Sequence, residues 1–464
     1  MKRIVALLLV AGAVAGAYVL PAPDSPPGPD FVGPEIRESV ASAAASVWYC
    51  PWVASGALRD SAAMLAAAVP VDAELTLPQQ IAGEEPDVDS VGLDDAGALV
   101  VDIGDIVRRG DTPLYVEFSN GPAAAAAVVT SNEILTGDAC VARIPKVWEL
   151  PGGTTREGRT LTLRLFNPFP ELAKVTVNGT SESGETGLVD LQNLDVEGRT
   201  WQDVGLNALV PLLDDLSLTV TSSEGFIIPA LVLGGTTDEA SWPGAAPRTY
   251  WEFPVATISA EFPPSLILTT AGAGPATATI DVYTELGVTP DARQVEVTPS
   301  IPRRVDLSDL ADGALGVRVR SSVPVAAVIV AEESVAVLEP TEEEGQIDEE
   351  VEASGDRIAG TIGISAAATR WLVPGVQAVR SAESTLWLLN TGAEAATVTL
   401  QPLGVRPLPA IKESVAPASL LAVPLGYDVS VGGYLIESSA PVSAAWSAVN
   451  PNGLMFVTGT VVGG

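Results

Sequence analysis

The sequence contains no histidine. That absence excludes Ser-His-Asp and Cys-His nucleophilic machinery, His-ligated zinc and the usual near-neutral proton shuttle. Basic residues are scarce: 24 Lys and Arg stand against 58 Asp and Glu, a formal net charge of −34. Lysine occurs only as Lys2, Lys146, Lys174 and Lys412. Such an acidic chain is repelled by nucleic acid and by anionic headgroups, and no basic patch with interleaved aromatics offsets this, so no nucleic-acid partner is expected. Cysteine is limited to Cys50 and Cys140, with no C-x-x-C motif. Helical periodicity is also scarce; "PEIRESVASAAAS" ahead of Trp48 is its best instance. No P-loop, G-x-S-x-G or S-x-x-K stands in a usable context, and "GGTTREG" and "LGGTTDEA" read as Gly/Thr turns. A two-carboxylate hydrolase needs no histidine, but among 58 acids no spacing nominates a pair. The reading therefore names no catalytic residue, no cofactor and no metal site.

Apolar residues are plentiful, at 47% of 464, with 43 Gly and 37 Pro. A chain of this length holds roughly three or four domains of ordinary size. At its start, Lys2 and Arg3 precede an uncharged, mainly apolar run from Ile4 to Leu20. Ala15-Gly16-Ala17 suits a signal peptidase, whereas the flanking charges suit a short single-span anchor. Either way residues 1–20 are expected to export the rest, as a secreted protein or one held at the membrane by this segment alone. Residues 21–47 follow as a Pro-rich linker, with six Pro between 21 and 34.

One outline recurs. "WYCP" at 48–51 returns as "WELP" (148–151), "WEFP" (251–254) and "WLVP" (371–374). The residues concerned are Trp48 and Pro51, Trp148 and Pro151, Trp251 and Pro254, and Trp371 and Pro374. Nineteen residues after each Trp a strand-like run ends, at Ala67, Asn167, Thr270 and Asn390. Further on, strand, Ser-containing turn and strand recur, as in "SSVPVAA" and "SSAPVSA", with Pro122, Phe226, Pro324 and Pro441 in corresponding places. Period-2 alternation broken by Gly, Pro and Ser points to an all-β fold: tandem antiparallel β-sandwich (Ig-like) repeats of about 100 residues. A β-propeller with two blades per repeat is the alternative. The expected boundaries are 48–143, 144–246, 247–331 and 358–464, with an acidic linker at 332–357. Eleven acids and no base lie within 332–356, which reads as a solvated segment. Repeats of this size bury their own cores, so the array needs no ring closure.

Within that frame a Trp-x-x-Pro reads as an entering edge strand whose Trp plugs the core or seals a joint to the preceding repeat. Trp242, Trp387 and Trp446 are not shared between copies and are better placed for a surface role, such as stacking on a sugar, with burial the other reading for Trp387 and Trp446, which lie inside strand blocks. Cys50 and Cys140 fall at the two ends of the first repeat, and in an exported chain they are expected to form one disulfide. "DVDSVGLDDAGA" (87–98) has part of a calcium-loop outline through Asp87, Asp89, Gly92 and Asp95. Ala98 stands where the bidentate Glu belongs, so no calcium site is assigned. Asn178-Gly179-Thr180 is a glycosylation sequon in form only.

These pieces resemble a family of exported actinobacterial proteins that carries only a domain-of-unknown-function label. The resemblance rests on the N-terminal apolar segment, Cys50-Pro51, and the blocks "LWLLNTG" and "SSAPVSA", and it spans most of residues 45–460. It implies an envelope location and supplies no catalytic residues. The combined expectation is a non-enzymatic extracytoplasmic cell-envelope protein, a structural or protein-interaction scaffold whose partner is an envelope protein or glycan. A glycan-binding accessory protein of envelope polysaccharide assembly is the alternative, and a two-carboxylate hydrolase a further one.

Overall fold

The computed structural model describes residues 46–462 except 54–59, 95–96, 108–109, 120, 132–133, 273, 311–312, 338–350, 378 and 381. The export segment, almost all of the Pro-rich linker and the middle of the acidic stretch lie outside the described residues. Among the described residues no helix is long and apolar enough to cross a membrane.

The protein is all-β, and one pairing order recurs four times. The first unit runs β1 (Ser46–Val53), β2 (Asp60–Ala67), β3 (Val71–Leu77), β4 (Asp87–Leu93), β5 (Ala98–Asp102), β6 (Thr112–Phe118), β7 (Ala123–Thr130) and β8 (Leu135–Ala139). These form two antiparallel sheets, β1-β6-β3-β4 and β5-β2-β7-β8. The second unit runs β9 (Val147–Gly153), β10 (Thr160–Asn167), β11 (Ala173–Ser181), the short β12 (Gly184–Thr186) and β13 (Leu194–Val196), β14 (Thr200–Gly205), β15 (Leu216–Glu224), β16 (Ile228–Gly234) and β17 (Glu239–Pro243). Its sheets are β12-β11-β15-β9, with β13 also on β11, and β14-β10-β16-β17.

The third unit comprises β18 (Arg248–Thr257), β19 (Pro264–Thr269), β20 (Ala276–Thr284), β21 (Gly287–Val297), β22 (Arg303–Asp306), β23 (Leu315–Val337) and β24 (Val351–Ile362). Strand β23 serves both sheets: its first half pairs with β18 and β20, its second with β19 and β24. The fourth unit comprises β25 (Ala368–Pro374), β26 (Glu383–Asn390), β27 (Ala396–Leu403), β28 (Ile411–Val415), β29 (Ser419–Leu425), β30 (Gly433–Asn450), β31 (Gly453–Thr458) and β32 (Thr460–Val461). Strand β30 divides between two sheets as β23 does.

The sheets are not a propeller. A propeller blade is a meander of consecutive strands, whereas here the chain steps repeatedly between two sheets that share a core. In the first unit Val53, Leu65, Leu75, Val116 and Ala125 meet in that core. Alternation explains the strands: β11 is buried at Val175 and Val177 and half-buried at Lys174 and Thr176 between them. The third boundary also shifts. Residues 358–362, expected to open the fourth repeat, pair with Val328–Glu332 and complete the third unit. Strand β23 itself runs to Val337, into the expected linker.

The first strand of each unit alternates inward and outward. Trp148, Trp251 and Trp371 point into their own cores, and each indole N–H donates to the carbonyl of Ile227, Val325 or Val442, at 2.9, 2.8 and 2.8 Å. Those acceptors directly follow Phe226, Pro324 and Pro441, so this bond sets the spacing between Trp and turn. In the first unit the Trp48 N–H has no partner; there Cys50 and Cys140 are joined, with Cα atoms 4.4 Å apart. Pro51, Pro151 and Pro254 fall within register shifts of their strands, and Pro374 ends its strand, so none withholds a donor from the ladder. Asn167 and Asn390 bridge turns, their amides donating to Val196 and Val415 carbonyls among others.

The outward residue after each Trp meets the next unit. Tyr49 packs with Phe166, Trp201 and Ile228 of the second unit. Glu149 lies beside Thr269 of the third, and Glu252 is hydrogen-bonded by Thr391 of the fourth, at 2.7 Å. Leu372 packs with Ala66, Ala98 and Ala124 of the first. The four units therefore close head to tail, although cores of this size do not require it. Their last long strands, β8, β17, β24 and β31, each lie against the next around the closure. Two glycines permit this approach. A Cβ on Gly453 would lie 2.7 Å from Leu135 Cβ and backbone N, and one on Gly360 would lie 2.2 Å from the Trp242 ring.

Candidate functional site

None of Trp242, Trp387 and Trp446 offers an open stacking face. Trp242 and Trp446 are fully buried, and Trp387 is 4% exposed. The Trp242 and Trp387 indoles donate to the Pro151 carbonyl and Ser447 Oγ, at 3.0 and 2.8 Å. The surface role expected for these three is overturned: Trp242 and Trp446 face inward, opposite Leu231 and Leu386 in their own cores, and Trp387 faces outward but is covered by the third unit. The calcium-loop outline is likewise strand β4 over Asp87–Leu93, with Asp95 outside the described residues. Among the described residues no group of three acidic or thiol side chains forms a metal site.

The structure instead brings together buried carboxylates that the sequence did not single out. Glu149, 3% exposed, accepts from Thr219 Oγ1 at 3.1 Å; burial, partly offset by Thr219 and Thr269, pushes its pKa up to about 7. Asp238, fully buried just before β17, accepts from Leu135 N of the first unit at 3.2 Å and Ile358 N of the third at 3.0 Å. Burial raises its pKa to about 8 against those amides. One side chain thus ties three units together near the closure. Burial also pushes Asp138 of β8 well above the carboxylate range, opposed by the Ala139 N–H. Glu252, fully buried, is surrounded by hydroxyls of Tyr250, Thr391 and Ser443. Asp281 is different. Burial raises its pKa, but the Asp291 N–H, Arg320 and Arg318 outweigh that and lower it. The only advance signal for Glu149 and Glu252 was an acid at the second place of "WELP" and "WEFP".

One opening of functional size lies between the first and second units. It has a volume of about 670 Å³ and is lined by Trp52, Asp111 and Ser131 on one side and Thr162, Arg164 and Asp203 on the other, among others. Arg164 is 1% exposed. Its Nε and Nη2 form a fork on the two Asp203 carboxylate oxygens at 2.7 and 2.6 Å, and Nη1 has no partner. Strand alternation places this guanidinium outward: Arg164 on β10 lies between Asp203 of β14 and Ala230 of β16. In the sequence Arg164 is one basic residue within the strand run "LTLRLFNP".

The family model that matches the chain, described as a family of unknown function (DUF5719), covers residues 107–342. The chain belongs to this family. The DUF5719 match takes in Glu149, Arg164, Asp203, Asp238 and Glu252. Among solved structures, the chain is similar to one titled Crystal Structure of Thermotoga maritima 1070, at 23% identity over 21% of this chain and 98% of that one, with a TM-score of 0.18. It is also similar to a glycoside hydrolase family 32 structure from Bifidobacterium adolescentis, at 8% identity over 89% of this chain and 96% of that one, with a TM-score of 0.14. Neither score carries an argument about fold or chemistry. No curated protein matches.

Proposed function

We propose that the protein is a non-enzymatic, extracytoplasmic scaffold of an actinobacterial cell envelope, built from four Ig-like β-sandwich repeats. The observation that carries this reading is the head-to-tail closure, in which every unit buries side chains against the next. Such an arrangement holds distant surfaces in fixed relation, which is what a platform for an envelope protein or glycan requires. The Cys50–Cys140 disulfide suits an oxidising compartment, and the charged and apolar start of the chain suits export. Of the carboxylates at the opening, Asp203 is engaged by Arg164 and Asp238 by two backbone amides, which counts against a two-carboxylate hydrolase built on those two.

Expression of the full chain with a C-terminal tag, followed by fractionation and thiol labelling, tests the reading. The expected result is an envelope or secreted protein without free thiols, and cytosolic retention with labelled Cys50 and Cys140 once residues 4–20 are deleted. A full-length protein recovered in the cytosol with both thiols free would overturn the location. Turnover of a glycoside by the purified chain would overturn the non-enzymatic part.

A further inference from the structure

The four joints provide internal controls for one another. The side chain directly after each Trp, at 49, 149, 252 and 372, points at the neighbouring unit. On that neighbour the residue two places beyond Phe226, Pro324, Pro441 and Pro122 is Ile228, Ala326, Ser443 and Ala124. Tyr49 packs with Ile228 and Leu372 with Ala124, whereas Glu252 meets the Ser443 hydroxyl. Only there does an acid face an alcohol at this place. Glu252 and Ser443 are both fully buried. The Tyr250 and Thr391 hydroxyls donate to Glu252 Oε1, and Ser443 Oγ lies against Oε2. Among the described residues no Lys or Arg forms an ion pair with Glu252; Arg318, across the strand pair from it, is turned to Asp281 at 2.7 Å. A buried carboxylate without a cation is costly, and an acid held against an alcohol can shed its charge by condensing with it.

We propose that Glu252 and Ser443 condense to an ester that joins the third and fourth units covalently. In the neutral acid Ser443 Oγ attacks Glu252 Cδ, the Ser443 proton passes to the Oε2 hydroxyl, and Oε2 leaves as water. One C–O bond forms and one breaks, and nothing is oxidised or reduced. Oε1 is the oxygen that stays and takes up the negative charge of the tetrahedral intermediate. It is also the oxygen that Tyr250 and Thr391 hold, as an oxyanion hole does. The carboxyl is thus divided, with two donors on the retained oxygen and the alcohol on the departing one. Glu149 has no such division, since Thr219 Oγ1 stands 3.1 Å from both of its oxygens. Folding supplies the driving force. Groups held in reactive proximity reach effective molarities of about 10⁵–10⁸ M, enough to outweigh the excess of water that favours hydrolysis in free solution. Burial on all sides keeps water from reversing the step. The link does not depend on the scaffold role or on location.

Intact-mass spectrometry of the full chain tests it. The parent, purified in the folded state and then denatured, is expected to be lighter by one water than its N-terminal residue and the Cys50–Cys140 disulfide imply. Its digest should contain the Glu252 and Ser443 peptides joined. Hydroxylamine, which cleaves esters, should release them and leave a hydroxamate on Glu252. Because the two residues are 191 apart in sequence, the parent should also run faster than Ser443→Ala on a reducing, denaturing gel. Ser443→Ala should show its full mass. A folded parent of full mass, with the two peptides free, would overturn the proposal even if Ser443→Ala does not fold. So would a missing water that persists in Ser443→Ala, since the dehydration then lies elsewhere.

Discussion

At the two joints that flank the third unit a glutamate faces the neighbour; at the two that flank the first, a tyrosine and a leucine do. The position is the same in all four, directly after the Trp of Trp-x-x-Pro. Glu252 engages hydroxyls across its joint, and Glu149 is accompanied by ion pairs across its own: Arg304 with Asp215 at 2.6 Å and Arg159 with Glu332 at 2.7 Å. Tyr49 and Leu372 meet apolar surface. Small residues let the seam between the fourth and first units close tightly, since a Cβ on Gly432 would lie 3.0 Å from that of Ala98. One β-scaffold therefore closes through apolar clusters at all four joints, and two of the joints add a buried carboxylate to them.

Exchanging the joint residues should break this comparison most severely. Leu372→Glu places an unpaired carboxylate against Ala66, Ala98 and Ala124; the expected loss is about 3–5 kcal/mol, read from urea unfolding. Removing the charge at a polar joint, by Glu149→Gln, should cost far less and become stabilising above pH 7. Reduction of the Cys50–Cys140 bond should come next, lowering stability by about 2–4 kcal/mol. Its effect should be concentrated in the first unit, as seen by hydrogen exchange.

The buried acids predict a pH dependence of definite sign. Folding raises Glu149 to about 7 and Asp238 to about 8, so the folded state holds more protons than the unfolded one between the ordinary carboxylate range and those values. Their contribution is most favourable at low pH and declines as pH rises from about 4 to 8. Unfolding free energy should fall by about 3 kcal/mol for Glu149 and by more for Asp238 across that window. Glu149→Gln should flatten the profile between about 4.5 and 7, whereas a profile unchanged by that substitution would remove Glu149 as its source. The smallest effect separates the units themselves. Trp251→Phe loses the bond to the Val325 carbonyl and should cost about 1–2 kcal/mol, visibly more than Trp48→Phe, because the Trp48 N–H has no acceptor.

What faces inward was legible in the sequence. Period-2 alternation marks half-buried strands, and the spacing from Trp251 to Pro324 or Trp371 to Pro441 is fixed by one indole hydrogen bond, so recurrence of the spacing signals recurrence of the geometry. What faces outward was not legible. Glu149, Arg164 and Trp387 sit at alternate positions where a lone sandwich meets water, and only closure buries them. The same blindness sent Trp387 to the surface, whereas Trp242 and Trp446 face inward and were misplaced because they recur in no other copy. The boundary near 358 failed for a different reason: acids between 332 and 356 read as a linker, yet β23 and β24 extend into that stretch from both sides and pair.

Head-to-tail closure is the centre of this account, and a cysteine pair tests it most directly. Ala98→Cys with Gly432→Cys places two thiols across the seam between the first and fourth units, residues distant in sequence whose Cβ atoms would approach to 3.0 Å. With the native disulfide intact, mass spectrometry of the oxidised monomer should show a second, intramolecular disulfide joining these two peptides. Two freely alkylated thiols at 98 and 432 in a folded monomer would contradict the closure.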